Sequence, residues 1–102
     1  MTDSPAAFPT PVFYTRSGCK LCQQAETLLL EWDLPFERMD IAGDDRLIEL
    51  YGHHVPVLTL PLPGGERTLH RGPLARTQLP ALRLRLIRLR REQAAAPARL
   101  LN

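Results

Sequence analysis

Hydrophobic and polar positions alternate along this chain with two periods, one typical of strands and one typical of helices. The apolar run 11–15 predicts a buried first strand, which Ser17-Gly18 interrupts. Apolar residues then recur at helical spacing from Lys20 to Trp32, and Pro35 prevents this helix from continuing. The predicted apolar face consists of Leu21, Ala25, Leu28, Leu29 and Trp32.

The middle of the chain predicts three more strands and a short helix. Residues 36–41 alternate imperfectly and predict the second strand. A short helix follows, with Asp44-Asp45 able to cap its start and Gly52 suited to stop it. The Gly64-Gly65 pair suits a tight hairpin. The strands that this hairpin joins are predicted at residues 57–60 and 66–70.

The last segment predicts a helix from about Thr77 to Ala95. Its residues 83–86 alternate like a strand, but length and the leucine, arginine and alanine content favour a helix that Pro97 ends. Six arginines lie between positions 83 and 99, with no aromatic residues among them. This indicates a solvated helix face rather than a surface for nucleic acid. The helical repeat consists of Leu79, Leu82, Leu86 and Leu89.

The resulting order, β-α-β-α-β-β-α, predicts an α/β fold with a four-stranded mixed sheet flanked by helices. The first two strands should pair in parallel, and the hairpin should supply an antiparallel edge. A chain of 102 residues has room for one domain. We expect a flexible N-terminal tail at 1–10, the domain at 11–96 and a C-terminal tail at 97–102.

Composition and charge indicate the compartment of the protein and the classes of partner that it binds. The hydrophobic fraction of 44% and charged fraction of 24% are ordinary for a soluble domain. Apolar runs fall short of a membrane span, and the first residues lack the features of a signal peptide. We therefore expect a cytoplasmic protein that binds neither membranes nor, at a net charge of +2, nucleic acid. Nothing in the pattern demands an oligomer, so a monomer is expected.

The segment Cys19-Lys20-Leu21-Cys22 contains both cysteines and lies where the first strand gives way to the first helix. A helix N-terminus stabilises a thiolate, so Cys19 is the candidate nucleophile. Cys22, one helical turn later, could resolve a mixed disulfide. Lys20 and Arg16 should lower the pKa of Cys19 further. In a cytosolic chain such a pair indicates catalysis or metal binding rather than a structural disulfide.

A metal site is the weaker alternative. Zinc needs about four ligands, and the adjacent His53 and His54 do not have the spacing of a zinc motif, while His70 stands apart. We therefore expect no metal and place these histidines on the surface. Arg16 stays open, since it could bind an anionic substrate or be an ordinary loop residue.

Two segments make the chain resemble the glutaredoxins, and most closely the small glutaredoxin-like proteins of bacteria. One is 14–22, which contains the dithiol and a basic residue three positions before it, and the other is the Val-Pro segment 52–58. The resemblance covers about Val12 to Leu89. It implies the thioredoxin fold and a cis Val55-Pro56 bond that faces the dithiol.

The resemblance also implies sites for glutathione. Arg16 occupies the basic position that receives a glutathione carboxylate, and Gly72 lies in the segment that holds the amino end of glutathione. Three features depart from the family pattern. Lys20-Leu21 replaces the common Pro-Tyr, His54 replaces a threonine, and the segment 71–74 contains no acidic residue.

These features together predict a thiol–disulfide oxidoreductase. Cys19 and Cys22 would be catalytic, Lys20 would tune the thiolate, and Arg16, Val55, Pro56 and Gly72 would bind substrate. The substrates would be protein disulfides or glutathione mixed disulfides, without a bound cofactor. Glutathione or a thioredoxin-type system would supply the electrons. The alternatives are a thioredoxin-fold module that binds a partner or senses redox state with little turnover, and a metal carrier.

Overall fold

The elements of the fold follow the predicted order. The computed structural model describes residues 9–101 of the chain, and their side chains as far as Gln93. A short 3₁₀ turn precedes the last helix. The elements are β1 (Val12–Thr15), α1 (Lys20–Glu31), β2 (Glu37–Asp40), α2 (Asp45–Tyr51), β3 (Val57–Leu62), β4 (Gly65–Arg71) and α3 (Leu79–Leu101).

The four strands form one mixed sheet in the order β2-β1-β3-β4. β1 and β2 run parallel, with Val12 opposite Glu37. β3 is antiparallel to both β1 and β4. The α/β thioredoxin-type arrangement, the parallel first pair and the antiparallel hairpin edge are therefore confirmed.

One face of the sheet carries the larger core, which α1 and α3 cover. Phe13 points to this face from β1, and Ala25 and Leu29 reach it from α1. The four leucines predicted from the helical repeat of α3 are all buried here. Trp32, Leu28 and Phe36 pack against the cluster from its rim. Burial on this scale stabilises each large side chain by roughly 1.5–3 kcal/mol.

The opposite face carries a smaller cluster under α2. Its buried members are Tyr14, Ile41 and Val57, one from β1, one after β2 and one from β3. Each of the seven residues of α2 keeps some exposed surface. Asp44 caps this helix as predicted, because its carboxylate accepts a hydrogen bond from the Leu47 N–H at 3.1 Å.

The predicted buried face of α1 is partly wrong. Leu21 is 44% exposed, and the buried stripe consists of Cys22, Ala25 and Leu29. Cysteine behaves as a small hydrophobe when buried, so Cys22 takes the place in the core that the pattern assigned to its larger neighbour. Leu21 is thereby left at the surface beside the dithiol.

The prediction that Pro97 ends the last helix is also wrong, since α3 continues to Leu101. A proline inside a helix removes one hydrogen bond and costs about 3 kcal/mol. The alanines 94–96 and Ala98 have the highest helix propensity and favour helix on both sides of it. Residues 1–8 and Asn102, which belong to the predicted tails, lie outside the described residues.

The arginines of α3 from Arg83 to Arg91 are exposed, as predicted. Two of them also make tertiary contacts. Arg83 lies over the Trp32 ring at 4.8 Å and donates to the Trp32 carbonyl. Arg85 donates to the Leu69 carbonyl at 3.0 Å. Over the described part of the chain, α3 and the other helices are too short or too polar to cross a membrane.

Candidate functional site

The first cysteine sits at the start of α1. Cys19 is the N-cap residue, in an extended conformation, and its sulfur accepts a hydrogen bond from the Cys22 N–H at 3.1 Å. The Cys19 N–H in turn donates to the Arg16 carbonyl at 3.1 Å, which closes the turn before the helix. The first turn of α1 contains no acidic residue. A thiolate at this position would therefore meet the positive end of the helix and a backbone donor.

The two sulfurs differ in access. Cys19 is half-buried, whereas Cys22 is completely buried. They are joined by a disulfide, with their Cα atoms 5.2 Å apart. A partner molecule can therefore approach the pair only from the side of Cys19.

A carboxylate at the end of β2 fixes the loop that leads to Cys19. Asp40 accepts hydrogen bonds from the Ser17 hydroxyl at 2.7 Å and from the Ala42 N–H at 2.9 Å. These bonds, the one from Ser17 first, hold the pKa of Asp40 below its ordinary value. Gly18 has a φ of +82°, a conformation that favours glycine. The sequence pattern placed Asp40 in a strand but gave no sign of its bond to the loop.

The Val-Pro segment lies directly before β3, and its Val55-Pro56 bond is cis, as the resemblance implied. Pro56 is buried and lines a small cavity with Ala25 and Leu29 of α1, so it faces the helix that carries the dithiol. The Gly72 N–H, at a residue with φ +87°, donates to the Pro56 carbonyl at 2.8 Å. The structure thus joins Pro56 to Gly72.

Exposed cations flank these segments. Arg16 follows β1, Lys20 begins α1, and Arg71, which precedes Gly72, pairs with Val57 in the sheet. None of the three cations forms a salt bridge with another described residue. Arg16 and Lys20 lie within three residues of Cys19 in the chain, so their charges are available to a ligand that approaches this sulfur.

The three histidines lie in two places, His53 and His54 just before the Val55-Pro56 segment and His70 beside the cavity that Pro56 lines. His53 and His54 are exposed after α2, and a ring nitrogen of His70 is 2.8 Å from the Pro73 carbonyl. Among the described residues, no three histidine, cysteine or acidic side chains come close enough to hold a metal ion. The structure therefore offers no built site for a metal carrier within that part of the chain.

Sequence reasoning missed a cluster of polar side chains on the α2 face of the sheet. Glu66, the second residue of β4, accepts hydrogen bonds from the hydroxyls of Tyr14 and Tyr51 at 2.6 Å each. The Thr59 hydroxyl donates to the same carboxylate at 3.1 Å. The two tyrosine rings stack with centroids 4.4 Å apart. These partners lie up to 52 positions from Glu66 in sequence, so no local pattern reveals them.

The pKa values of the cluster are shifted by burial and by the hydrogen bonds that the tyrosines donate to Glu66. Burial first, and then the bond to Glu66, raise the pKa of Tyr51 to about 12, and the same causes raise the pKa of Tyr14 further. Partial burial raises the pKa of Glu66, but the three donated hydrogen bonds outweigh it and leave this pKa below its ordinary value. The cluster therefore contains one carboxylate and two neutral phenols at neutral pH.

Comparisons with known proteins agree with the fold. A crystal structure of the protein XcR50 from X. campestris is 33% identical, with a TM-score of 0.58, and covers 70% of this chain and 91% of its own. The solution structure of protein Ne2328 from Nitrosomonas europaea is 26% identical, with a TM-score of 0.53, and covers 78% and 96%. No curated protein matches the chain.

The family model of the glutaredoxin-like domain (DUF836) matches residues 11–80. This range includes β1, the dithiol, the cis Val55-Pro56 bond and Gly72. It covers most of the described fold, and its description agrees with the resemblance inferred from the sequence. The chain belongs to the glutaredoxin-like domain family.

Proposed function

We propose that this protein is a thiol–disulfide oxidoreductase that reduces protein disulfides or glutathione mixed disulfides. The observation that carries the proposal is the environment of Cys19. Its sulfur caps α1 and lies 3.1 Å from the Cys22 N–H, an arrangement that favours a thiolate. The disulfide between the two cysteines supports the second half of the reaction, since the pair is bonded while α1 is formed from Lys20 onward.

The reaction proceeds in two exchanges. In the first, the Cys19 thiolate attacks one sulfur of the substrate disulfide, a mixed disulfide forms, and the other substrate sulfur leaves as a thiolate. In the second, Cys22 loses its proton and attacks the sulfur of Cys19, which releases the remaining substrate thiolate. Two electrons pass from the dithiol to the substrate. An external dithiol, or two molecules of glutathione, must then reduce the Cys19–Cys22 disulfide.

The binding surface that we propose for the substrate surrounds Cys19. The backbone of Val55, before the cis Pro56, would pair with the extended substrate, and Gly72 supports it through its bond to Pro56. Arg16, with Lys20 beside the dithiol, would attract an anionic substrate such as a glutathione carboxylate.

Intact mass after equilibration over graded ratios of reduced to oxidised glutathione tests the proposal. The wild-type protein should change from dithiol to internal disulfide at a defined ratio. A Cys22→Ser variant should retain one glutathione on Cys19, and the matched Cys19→Ser variant should retain none. Full disulfide reduction by Cys19→Ser would contradict the mechanism. An internal disulfide without any trapped adduct would exclude glutathione and leave a thioredoxin-type reductant.

A binding or redox-sensing module is the second candidate. It is favoured by the absence of an acidic residue from the segment 71–74, the segment in which glutaredoxins hold the amino end of glutathione. Such a module would form the internal disulfide but turn over slowly with every reductant. Comparison of the rate of disulfide formation with the steady-state rate separates the two functions.

A further inference from the structure

The last residue of α2 links two parts of the molecule. The Tyr51 hydroxyl donates to one carboxylate oxygen of Glu66 at 2.6 Å. The Tyr51 backbone carbonyl accepts hydrogen bonds from the N–H groups of His54 at 2.8 Å and Val55 at 3.1 Å. The side chain of Tyr51 is therefore held by the sheet, while its backbone holds the segment that precedes the cis Pro56.

Few other contacts fix α2. The helix has seven residues, all partly exposed, and its apolar contribution to the sheet comes from partly buried side chains such as Leu47 and Ile48. A half-buried contact of this kind leaves the helix freer to shift than α1, which buries Leu29 completely. The directional bond from Tyr51 to Glu66 therefore contributes to placing α2 on the sheet.

Glu66 is itself well placed to act as an anchor. One of its oxygens accepts from Tyr14 and Thr59, which belong to the central strands β1 and β3, and the other accepts from Tyr51. Stacking of the Tyr14 and Tyr51 rings adds a second contact between strand and helix. The carboxylate thereby joins three elements at one point.

We propose that Glu66 is a positioning residue that acts through Tyr51 to hold the Val55-Pro56 segment at a fixed distance from the Cys19-Cys22 dithiol. This inference rests on the proposed function, in which that segment binds the substrate. The hydrogen bonds of Glu66 join it to Tyr14, Tyr51 and Thr59 and not to the dithiol. Glu66 therefore governs capture of the substrate and leaves the chemistry of the dithiol unchanged.

Kinetics of three variants test the inference. Tyr51→Phe removes one hydroxyl and keeps the ring, Glu66→Ala removes the carboxylate, and Glu66→Gln keeps an acceptor and adds a donor. With a mixed disulfide of glutathione and a short peptide as substrate, we expect Tyr51→Phe and Glu66→Ala to raise KM by about tenfold. Glu66→Gln should lie close to wild type. The control Glu49→Gln removes a charge from an exposed position of α2 and should change nothing.

Two further readouts separate positioning from general damage. The pKa of Cys19, from the pH dependence of alkylation, and kcat should be unchanged in all variants. Hydrogen exchange of the His54 and Val55 amides should accelerate in Tyr51→Phe and Glu66→Ala, while that of Gln23 in α1 should not. An unchanged KM in Tyr51→Phe, which preserves packing, would overturn the inference, as would a shift of the Cys19 pKa together with KM.

Failure of the proposed function gives a different result. If the wild-type protein reduces no disulfide at any substrate concentration, the oxidoreductase is excluded, and with it a role of Glu66 in substrate capture. Hydrogen exchange still tests whether Glu66, through Tyr51, holds the segment before Pro56. Unchanged exchange at His54 and Val55 in Glu66→Ala would overturn that part as well.

Discussion

The two faces of the sheet are held by different kinds of interaction. The face under α1 and α3 has a cluster of 11 buried residues, all of them apolar. The face under α2 has three buried residues in its cluster, and beside them the carboxylate of Glu66 accepts three side-chain hydrogen bonds. The dithiol belongs to the first face, since Cys22 is buried at the start of α1. The segment that follows α2 touches both faces, because Val55 packs against the second cluster and the buried Pro56 faces α1 on the first.

This contrast shows how one small domain can combine a firmly held helix, α1, with a less firmly held helix, α2. Apolar burial is strong and without direction, so α1 is held firmly wherever its stripe fits the core. Hydrogen bonds contribute less net stability but define direction. The sulfurs are thus carried by a helix that apolar burial holds, whereas the residues just before Pro56 are also held by a few polar atoms.

The largest effect should follow from a cavity under α1. Leu29 is 1% exposed, so Leu29→Ala should lower the free energy of unfolding by roughly 2–5 kcal/mol. Urea unfolding followed by circular dichroism measures the loss. The neighbouring Leu30 is 63% exposed, and Leu30→Ala should change stability by at most about 0.5 kcal/mol. Equal losses would show that the α1 face is not held by burial.

The same truncation on the α2 face should cost less. Ile48 is half-buried, and Ile48→Ala should destabilise the protein by about 1–2 kcal/mol because less apolar surface returns to water. The same urea experiment gives the value. A loss as large as that of Leu29→Ala would remove the contrast between the two faces.

The N-cap of α2 offers a smaller and more local test. Asp44→Ala removes the acceptor for the Leu47 N–H and should cost about 1 kcal/mol. The control is Asp45→Ala, at the first position of the helix, where the loss should be about 0.3 kcal/mol from the helix dipole alone. Identical values for the two variants would mean that the cap does not stabilise α2.

The smallest effect should be a pH dependence of the free energy of unfolding that arises from Glu66 on the α2 face. Because bonds from Tyr14, Tyr51 and Thr59 keep the pKa of Glu66 below its ordinary value, the folded state binds this proton more weakly than the unfolded state. The stabilisation is therefore complete above the unfolded pKa of about 4.3 and is lost as the pH falls through the lower folded value. The stability difference between wild type and Glu66→Gln should shrink between neutral pH and pH of about 3. Glu49→Gln should show no such trend.

The sequence predicted the fold well where the signals were local. The start of α1 at Lys20, the Asp44 cap and the hairpin at Gly64-Gly65 each depend on residues within a few positions of one another. The cis Val55-Pro56 bond is confirmed too, but it came from resemblance rather than from local chemistry. The dithiol, like the helix start and the cap, was predicted from local sequence, because both cysteines lie within one helical turn.

The remaining features depend on contacts between distant segments. Glu66 follows two glycines and has no periodic signal, and its partners come from β1, α2 and β3. Asp40 holds Ser17 across 23 positions of sequence. Leu21 and Cys22 are adjacent, and only the packing of α1 against the sheet decides which of the two is buried. Hydrophobicity alone predicts that the larger residue, Leu21, is buried, and this prediction is wrong.

The complete burial of Cys22 also bears on how the pair would respond to an oxidant. A peroxide that reaches Cys19 would convert its thiolate to a sulfenic acid, which condenses with a neighbouring thiol to give a disulfide. Cys22 is that neighbour, one turn away and shielded from the same oxidant. Condensation within the pair competes with further oxidation of Cys19 to the sulfinic acid, which is not readily reversed. Cys22 would thus convert the sulfenic acid on Cys19 to a disulfide, which a reductant can reverse, before further oxidation makes the damage permanent.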